Sequence, residues 1–314
     1  MSERIPIIVL AGSDLRPSAV PDGMQQEDML TGPKGTIQLH TGRCLAAELV
    51  ARIRASGCFA EPLLLGPAKW YDGQIDCEIV NVEGTLLQTL RQLTRTVTDR
   101  FPGHQPIAIT ACDILPSAGD FEQLIEQDYK PHAETMFWWQ MIEALPQEMG
   151  ASSWKPSYRM PSEPGQAPLV LYPGHVVIAR PDALRLQLIN RLLELAYRYR
   201  NRVLERRYIG VTLGALGSLL AQDVRNLAEF QLPVLTVALP YVGLRDFFKY
   251  RRGKATLRDH EYFLTKTFLH RRYHQAAEGR PVVISTTNLP SFAKDIDTKA
   301  ELEELESAEP CISD

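Results

Sequence analysis

Ile5-Pro6-Ile7-Ile8-Val9-Leu10-Ala11-Gly12-Ser13-Asp14 opens the chain after four residues. From Ile5 to Leu10 the run is apolar and rich in β-branched side chains, with no polar position to mark a wet face. A strand covered on both sides reads this way, and such strands belong to parallel sheets lying under helices. The run breaks at small residues, where a backbone can turn sharply or approach a ligand closely. A polar, Gly- and Pro-bearing stretch follows over 13–35; loops of that length in compact domains are functional or disordered. Residues 41–57 then show helical spacing, with Leu45, Ala46, Leu49 and Ile53 on one face and Gly57 as the stop. Glu61-Pro62-Leu63-Leu64-Leu65-Gly66 is a second buried strand, so strand, helix and strand make a βαβ unit.

The same rhythm continues outward. Residues 77–82 read as a short strand, 85–100 as a helix carrying Leu86, Leu90, Leu93 and Val97, and 106–110 as a third buried strand. A helix is expected over 119–126, paired strands over 168–179 around Pro173-Gly174, and a long Leu- and Arg-rich helix over 182–207. Further helices are expected over 213–228 and 299–306, and late strands over 234–239 and 281–285. The basic, aromatic segment 242–274 reads as mostly helical, and 149–166, rich in Pro and Ser, as an exposed excursion. No internal repeat or low-complexity tract is present.

Composition bounds the function classes. The 314 residues carry a formal charge of −4, with 45% apolar and 23% charged residues, as in an ordinary globular protein. That balance gives no general reason to expect nucleic acid or a membrane as partner. The five cysteines (Cys44, Cys58, Cys77, Cys112, Cys311) are scattered and form no C-x-x-C pair, which speaks against a zinc site or a disulfide framework. The first apolar run is too short for a secretion signal, and 211–221 falls well below the ~20 residues that span a bilayer. A cytoplasmic location is the expectation.

Ligands of open α/β sheets bind beyond the carboxyl ends of the strands. Four features fall there. Leu10-Ala11-Gly12-Ser13 can admit a phosphate to backbone N–H groups, with Lys34 supplying charge; turn chemistry is the plainer reading, and neither a Walker nor a Rossmann spacing occurs. Asp113, directly after its strand, suits a divalent cation and equally suits a helix N-cap. Asp295-Ile296-Asp297-Thr298 precedes the final helix, which Asp297 or Thr298 can cap; if Asp297 faces Asp113, the two can share one metal. Asn81-Val82-Glu83-Gly84-Thr85 can contact a nucleobase edge or simply start a helix.

Together these residues resemble the MobA-like nucleotidyltransferases, a group that includes molybdenum-cofactor guanylyltransferase and sugar-nucleotide pyrophosphorylases. Ile7 to Gly12 is similar to the family's first strand and its L-A-G-G start, and Pro33-Lys34-Gly35-Thr36-Ile37-Gln38-Leu39 with Gly42 to its K-x-L segment. Ile109 to Pro116 resembles the strand ending in a metal-binding Asp, and Asp295 to Leu302 the closing D-[IV]-D-T-P-E-D-L. The resemblance implies a single domain over 1–314 with a three-layer αβα sandwich, a mostly parallel mixed sheet of Rossmann-like, GT-A type, and a helical insertion over 183–274. It implies attack of a substrate phosphate on the α-phosphorus of an NTP with release of pyrophosphate. Lys34, Asp113 and Asp297 would be the catalytic residues, the two aspartates holding Mg²⁺. Leu10, Ala11, Gly12, Ser13, Asn81, Gly84 and Thr85 would join Lys34 around the nucleotide. Gly174, His175 and Lys254 are expected on the acceptor side, and the insertion can supply a homodimer contact.

The sequence departs from the family where Ser13 replaces the second glycine, Cys112 the glycine before the metal Asp, and Gly174-His175 the usual Gly-Asn. A GT-A glycosyltransferase and a non-catalytic nucleotide-binding descendant therefore stay open as alternatives. The basic aromatic clusters at Tyr197 to Arg202, Arg206-Arg207, Lys249 to Arg252 and His270 to His274 read as solvated or oligomer-forming helix rather than a nucleic-acid surface. Phe137-Trp138-Trp139 reads as core or interface.

Overall fold

The computed structural model describes residues 4–12, 20, 24–199, 214, 217–224, 227 and 235–308. Ser13, Cys311 and the basic run 200–207, all singled out in the sequence, lie outside them. Among the described residues eight strands form one sheet: β1 (Ile7–Leu10), β2 (Leu63–Gly66), β3 (Glu78–Asn81), β4 (Ile107–Ala111), β5 (Phe137–Glu143), β6 (Tyr158–Met160), β7 (Leu169–Ala179) and β8 (Val282–Thr287). Their order is β3-β2-β1-β4-β7-β5-β8, with β6 also on β7. β3, β2, β1 and β4 pair parallel, as do β5 and β8; β7 runs against β4, β5 and β6. The sheet is mixed and mostly parallel, as read from the sequence.

The continuous apolar strands are explained by two covered faces. Ile7 and Val9 pack with Leu45, Leu49 and Ile53 of the helix Leu45–Ala55, and with Phe121 of the helix Ala118–Gln123. Ile8 turns the opposite way, onto Val97 and Leu93 of the helix Leu86–Arg100. Alternation with period two thus feeds two helical layers. Each such fully buried aliphatic side chain stabilises the fold by about 1.5–3 kcal/mol. The helix Leu86–Arg100 starts where Thr85 and Gln88 satisfy each other in a capping box, the Thr85 N–H donating to Gln88 Oε1 at 2.7 Å. On the far half, Phe137 and Val282 are covered by Leu269 and by the helix Leu257–Phe268.

Four readings need correction. Residues 168–179 form one uninterrupted strand, because Gly174 lets β7 pass Gln140 of β5 closely: a Cβ there would lie 2.9 Å from the Gln140 carbonyl oxygen. A register shift between Trp139 and Met141 absorbs the irregularity. The expected late strand at 234–239 is the start of the helix Leu235–Arg251, since a short apolar run carries no period that separates the two. Residues 149–166 are an exposed excursion only in part: Met149, Ser152, Lys155 and Met160 are buried and β6 extends the sheet, while 156–159 and 164–166 are exposed. The long helix begins at Leu186, after a tight turn at Pro181–Ala183. Over the expected insertion, Leu184 bridges Leu269 and the His270 N–H donates to the Ala183 carbonyl at 2.9 Å, so the segment leaves and returns at one point.

Candidate active site

β1 and β4 end at the same edge, with Leu10 beside Ala111 and the Cys112 N–H donating to the Leu10 carbonyl at 3.1 Å. Asp113 follows at once. Its plainer role as a helix cap is taken by Ser117, whose hydroxyl accepts the Asp120 N–H at 3.1 Å. The segment after β8 is fastened beside it by the Ile296 N–H donating to the Asp113 carbonyl at 2.8 Å. Thr298 caps the last helix: its hydroxyl accepts the Glu301 N–H, while the Glu301 carboxylate accepts the N–H groups of Asp297 and Thr298 at 2.8 and 2.9 Å. Capping is thereby satisfied without the Asp297 carboxylate, which is left to face inward. The Leu30 N–H to Asp297 carbonyl bond, 2.9 Å, and the Met29–Thr298 bridge draw the early loop over the same edge.

Lys34 sits on that loop in a short turn, Lys34–Thr36. Its ammonium donates to Asp113 Oδ2 at 3.0 Å and more closely to Asp297 Oδ1, with Asp295 4.0 Å away. Gly35 makes this placement possible. A Cβ there would lie 2.6 Å from the Tyr71 hydroxyl and 3.1 Å from the Cys112 sulfur, and Tyr71 is held by its own bond to the Ala11 carbonyl. Burial disfavours the Lys34 ammonium, but Asp113, Asp297 and Asp295 outweigh it and hold the group charged above its ordinary range.

A second cation, absent from the sequence reading, comes from Lys155. It is buried, and its ammonium contacts Asp295, Asp297 Oδ2 at 3.4 Å and Glu301 Oε1 at 3.2 Å. Burial alone would lower its pKa; Asp295, Asp297 and Glu301 raise it overall. His175, on β7, lies 3.5 Å from Asp295 Oδ1. β7 is the reversed strand, which is why its middle reaches the carboxyl edge of β4. Burial works against the His175 imidazolium, and the contact with Asp295 raises its pKa nonetheless. Burial likewise opposes the Asp295 carboxylate, yet His175 and Lys155 hold it well below the usual range. Asp297 goes the other way: burial and Asp295 push it up against the pull of Lys34 and Lys155. Of the pair, Asp295 is the firmly ionised one.

Four carboxylates (Asp113, Asp295, Asp297, Glu301) therefore meet two ammonium groups and one histidine. Asp113 Oδ1 is buried and has no hydrogen-bond partner among the described residues. Among the described residues no three His, Cys, Asp or Glu side chains converge into a ready metal cage. Mg²⁺ does not require one, since it uses one or two carboxylates and completes its shell with water and phosphate oxygens. An unpartnered Asp113 oxygen, with Asp297 on the other side of Lys34, fits such a site.

The remaining expected residues fall around this edge with different duties. Ala11 is buried and uses its carbonyl on Tyr71; Leu10 is partly buried, and Gly12 is exposed where a Cβ would lie 2.5 Å from Thr89 Oγ1. Asn81 Oδ1 accepts the Ala68 N–H at 2.9 Å, fixing the turn after β2, while Thr85 caps its helix and Gly84 takes a positive φ of 112°. The Gly174 carbonyl accepts the Trp139 indole N–H at 3.1 Å. Lys254 is exposed after the helix Leu235–Arg251, and no contact joins it to the acidic cluster.

No family model and no curated protein matches the sequence. Among solved structures, the chain is similar to a hypothetical transferase from Thermus thermophilus, 16% identical, over 96% of this chain and 100% of that one, with a TM-score of 0.54. A weaker likeness is to a CMP:2-keto-3-deoxy-manno-octonic acid synthetase complexed with CTP, 10% identical over 63% of this chain and 85% of that one, TM-score 0.43. A 4-diphosphocytidyl-2C-methyl-D-erythritol synthase from Anaerococcus prevotii is 11% identical over 66% and 83%, TM-score 0.36. The Thermus likeness covers both chains almost end to end and establishes the shared αβα sandwich.

Proposed function

We propose that the chain is a Mg²⁺-dependent nucleotidyltransferase that moves an NMP unit from an NTP to a phosphorylated small molecule. One observation carries this reading: Lys34 lies between two aspartates that are 79 and 263 residues away in sequence, at the carboxyl edge of the sheet. Bringing three charged side chains from such distant segments to one point costs desolvation and is poor evidence for stability. It suits a ligand that carries several negative charges and its own counter-ion.

The acceptor phosphate is already a nucleophile, so no general base is required. Its oxygen forms the new bond to the α-phosphorus while the bond to the bridging oxygen breaks, and pyrophosphate takes the electron pair. Lys34 offsets charge on the phosphate oxygens, and its partners keep it protonated at every physiological pH. Asp113 and Asp297 would hold Mg²⁺, which when bound supplies Lewis-acid charge to those oxygens. Lys155 and His175 fix Asp295, and through it the segment that presents Asp297. Orientation and preset charge supply the rate enhancement.

Asp295 and Asp297 have the D-x-D spacing of a GT-A glycosyltransferase, and both lie at the site, which favours that as the second reading. The deciding assay is a thermal-shift screen of four NTPs with and without Mg²⁺, then pyrophosphate release over phosphosugars and phosphoalcohols. Pyrophosphate appearing only with acceptor supports nucleotidyl transfer. Nucleoside diphosphate released from a sugar nucleotide instead supports the glycosyltransferase, and shifts without turnover support a binding descendant.

A further inference from the structure

The helix Leu235–Arg251 is apolar on both sides. Its inner side packs Leu239 against Leu188 and Leu219 of two neighbouring helical segments, and its first turn is tied down where Thr236 donates from both N–H and hydroxyl to Asp223 Oδ2. Its outer side carries Val237, Tyr241, Leu244 and Phe248, which are 76%, 69%, 56% and 50% exposed. At helical spacing of four, three and four residues these share one stripe. The neighbouring helical stretch 217–224 repeats the arrangement, with Leu219 inside and Leu220 and Val224 exposed. Scattered apolar residues are normal on a protein surface; contiguous stripes on adjoining segments mark a contact site.

Charge identifies the kind of partner. Arg245 and Arg252 lie to one side of the stripe and Arg251 to the other, all exposed. The acids beside it are turned away from the stripe: Asp223 accepts from Thr236, Asp259 pairs with Lys249, and Asp246 lies 3.7 Å from His260. The face is therefore apolar in its middle and basic along its borders, on a chain whose net charge is −4. The sequence repeats that order on a larger scale: five arginines from Arg198 to Arg207, then a stretch whose only charges are Asp223, Arg225 and Glu229, then the basic run from Arg245 to Lys254. Aliphatic side chains have nothing to gain from a nucleic acid. A bilayer surface offers hydrocarbon to Val237 and Leu244, the interfacial zone that aromatic rings prefer to Tyr241 and Phe248, and anionic headgroups to the arginines.

We propose that this helical face docks the protein onto an anionic membrane surface. No helix among the described residues is long and apolar enough to cross a membrane, and the inner contacts of Leu239 keep the segment attached to the domain, so the contact is interfacial. The overall composition gave no hint of this, because the basic residues are local.

The test is co-sedimentation of the full chain with vesicles of phosphatidylcholine alone and with about 30 mol % phosphatidylglycerol. Binding should be strong only to the anionic vesicles and should fall steeply between about 0.1 and 1 M salt. Val237→Glu with Tyr241→Glu should abolish binding, with an unchanged far-UV spectrum showing that the fold survives. Arg251→Gln with Arg252→Gln should weaken anionic binding roughly thirtyfold while leaving any basal binding to neutral vesicles. Wild-type protein that stays in the supernatant with both vesicles overturns the proposal. So does a stable dimer in light scattering that Val237→Glu dissociates, or salt-sensitive binding to RNA with none to vesicles. The vesicle assay does not depend on catalysis, so its failure is distinct from failure of the proposed transfer.

Discussion

Lys155→Met is the sharpest probe of the acidic cluster, because Lys155 has only 7% of its side chain exposed and three carboxylates around it. At an effective dielectric near 20, contacts of 3.2 and 3.4 Å to Glu301 and Asp297 give about 5 kcal/mol each of gross attraction. Much of that offsets the cost of burying the ammonium. Removing one partner from such a group leaves the others uncompensated, which costs about 3–5 kcal/mol. The loss has a pH signature. In the wild type the depressed Asp295 pKa contributes stability that is present above the unfolded value near 3.9 and lost as pH falls through the folded one. In the variant Asp297, already raised by burial and by Asp295, rises further, so its charged form destabilises the fold above its pKa. The Asp295 contribution stays complete down to about pH 4, so between pH 8 and pH 5 only the Asp297 trend acts, and it narrows the difference between the proteins as pH falls. Urea unfolding followed by tryptophan fluorescence should give a gap of about 3–5 kcal/mol at pH 8 and a smaller one at pH 5. A gap under about 1 kcal/mol at pH 8, or equal gaps at both pH values, would refute the reasoning.

Asp113→Asn should lower acceptor-dependent pyrophosphate release by about a thousandfold or more while leaving the melting temperature within a few degrees; full activity would contradict the site. Gly35→Ala should cost about 1–3 kcal/mol, since its Cβ would fall 2.6 Å from the Tyr71 hydroxyl; adding Tyr71→Phe should recover part of that loss, and a strictly additive double-mutant cycle would deny the contact. His175→Gln should destabilise most at low pH. The raised His175 pKa means its contribution is complete below the unfolded value near 6.5 and disappears as pH rises through the folded one, so melts at pH 5.5 and pH 9 that show equal differences would sink the pairing with Asp295.

Much of this architecture was legible in residue order, because the parallel strands are unbroken apolar runs and the flanking helices carry clear 3.6-residue spacing. β1, β2 and β4 were read within a residue or two, as was the helix Leu86–Arg100 with its Thr85 start. Asp113, Lys34 and Asp297 were singled out by the turn residues around them and by the family resemblance together, and the fold brings the three side chains to one point. Lys155 was not. Its burial depends on Asp295, Asp297 and Glu301, more than a hundred residues away, and nothing beside it distinguishes it from a surface lysine in a Pro- and Ser-rich stretch. The first turns of the helix Leu235–Arg251 were misread as a strand, although its remainder fell in the segment read as mostly helical. Leu235 to Leu239 is apolar but for Thr236 and too short to show a period, and the Pro240 that follows discourages a helical reading, although the neighbouring turns tolerate it. His175 was noticed as a departure from the family pattern, yet its contact with Asp295 follows only from the reversed direction of β7.

Acids outnumber bases at the carboxyl edge of the sheet. Four carboxyl groups stand against two ammonium groups whose partners keep them protonated and one histidine, so the acids outnumber the bases by one. A site built only to be stable would remove that imbalance with one more basic residue or one fewer acid, as buried ionic groups gain little by themselves. A site built to attract a polyphosphate directly would be positive. An excess of acids, with an unpartnered Asp113 oxygen at its centre, suits the sequence in which a cation enters together with the phosphates it neutralises. Nucleotide should then bind weakly without Mg²⁺ and much more strongly with it. Thermal shifts of equal size in EDTA and in Mg²⁺, for the NTP that binds best, would contradict this account of why the acids outnumber the bases.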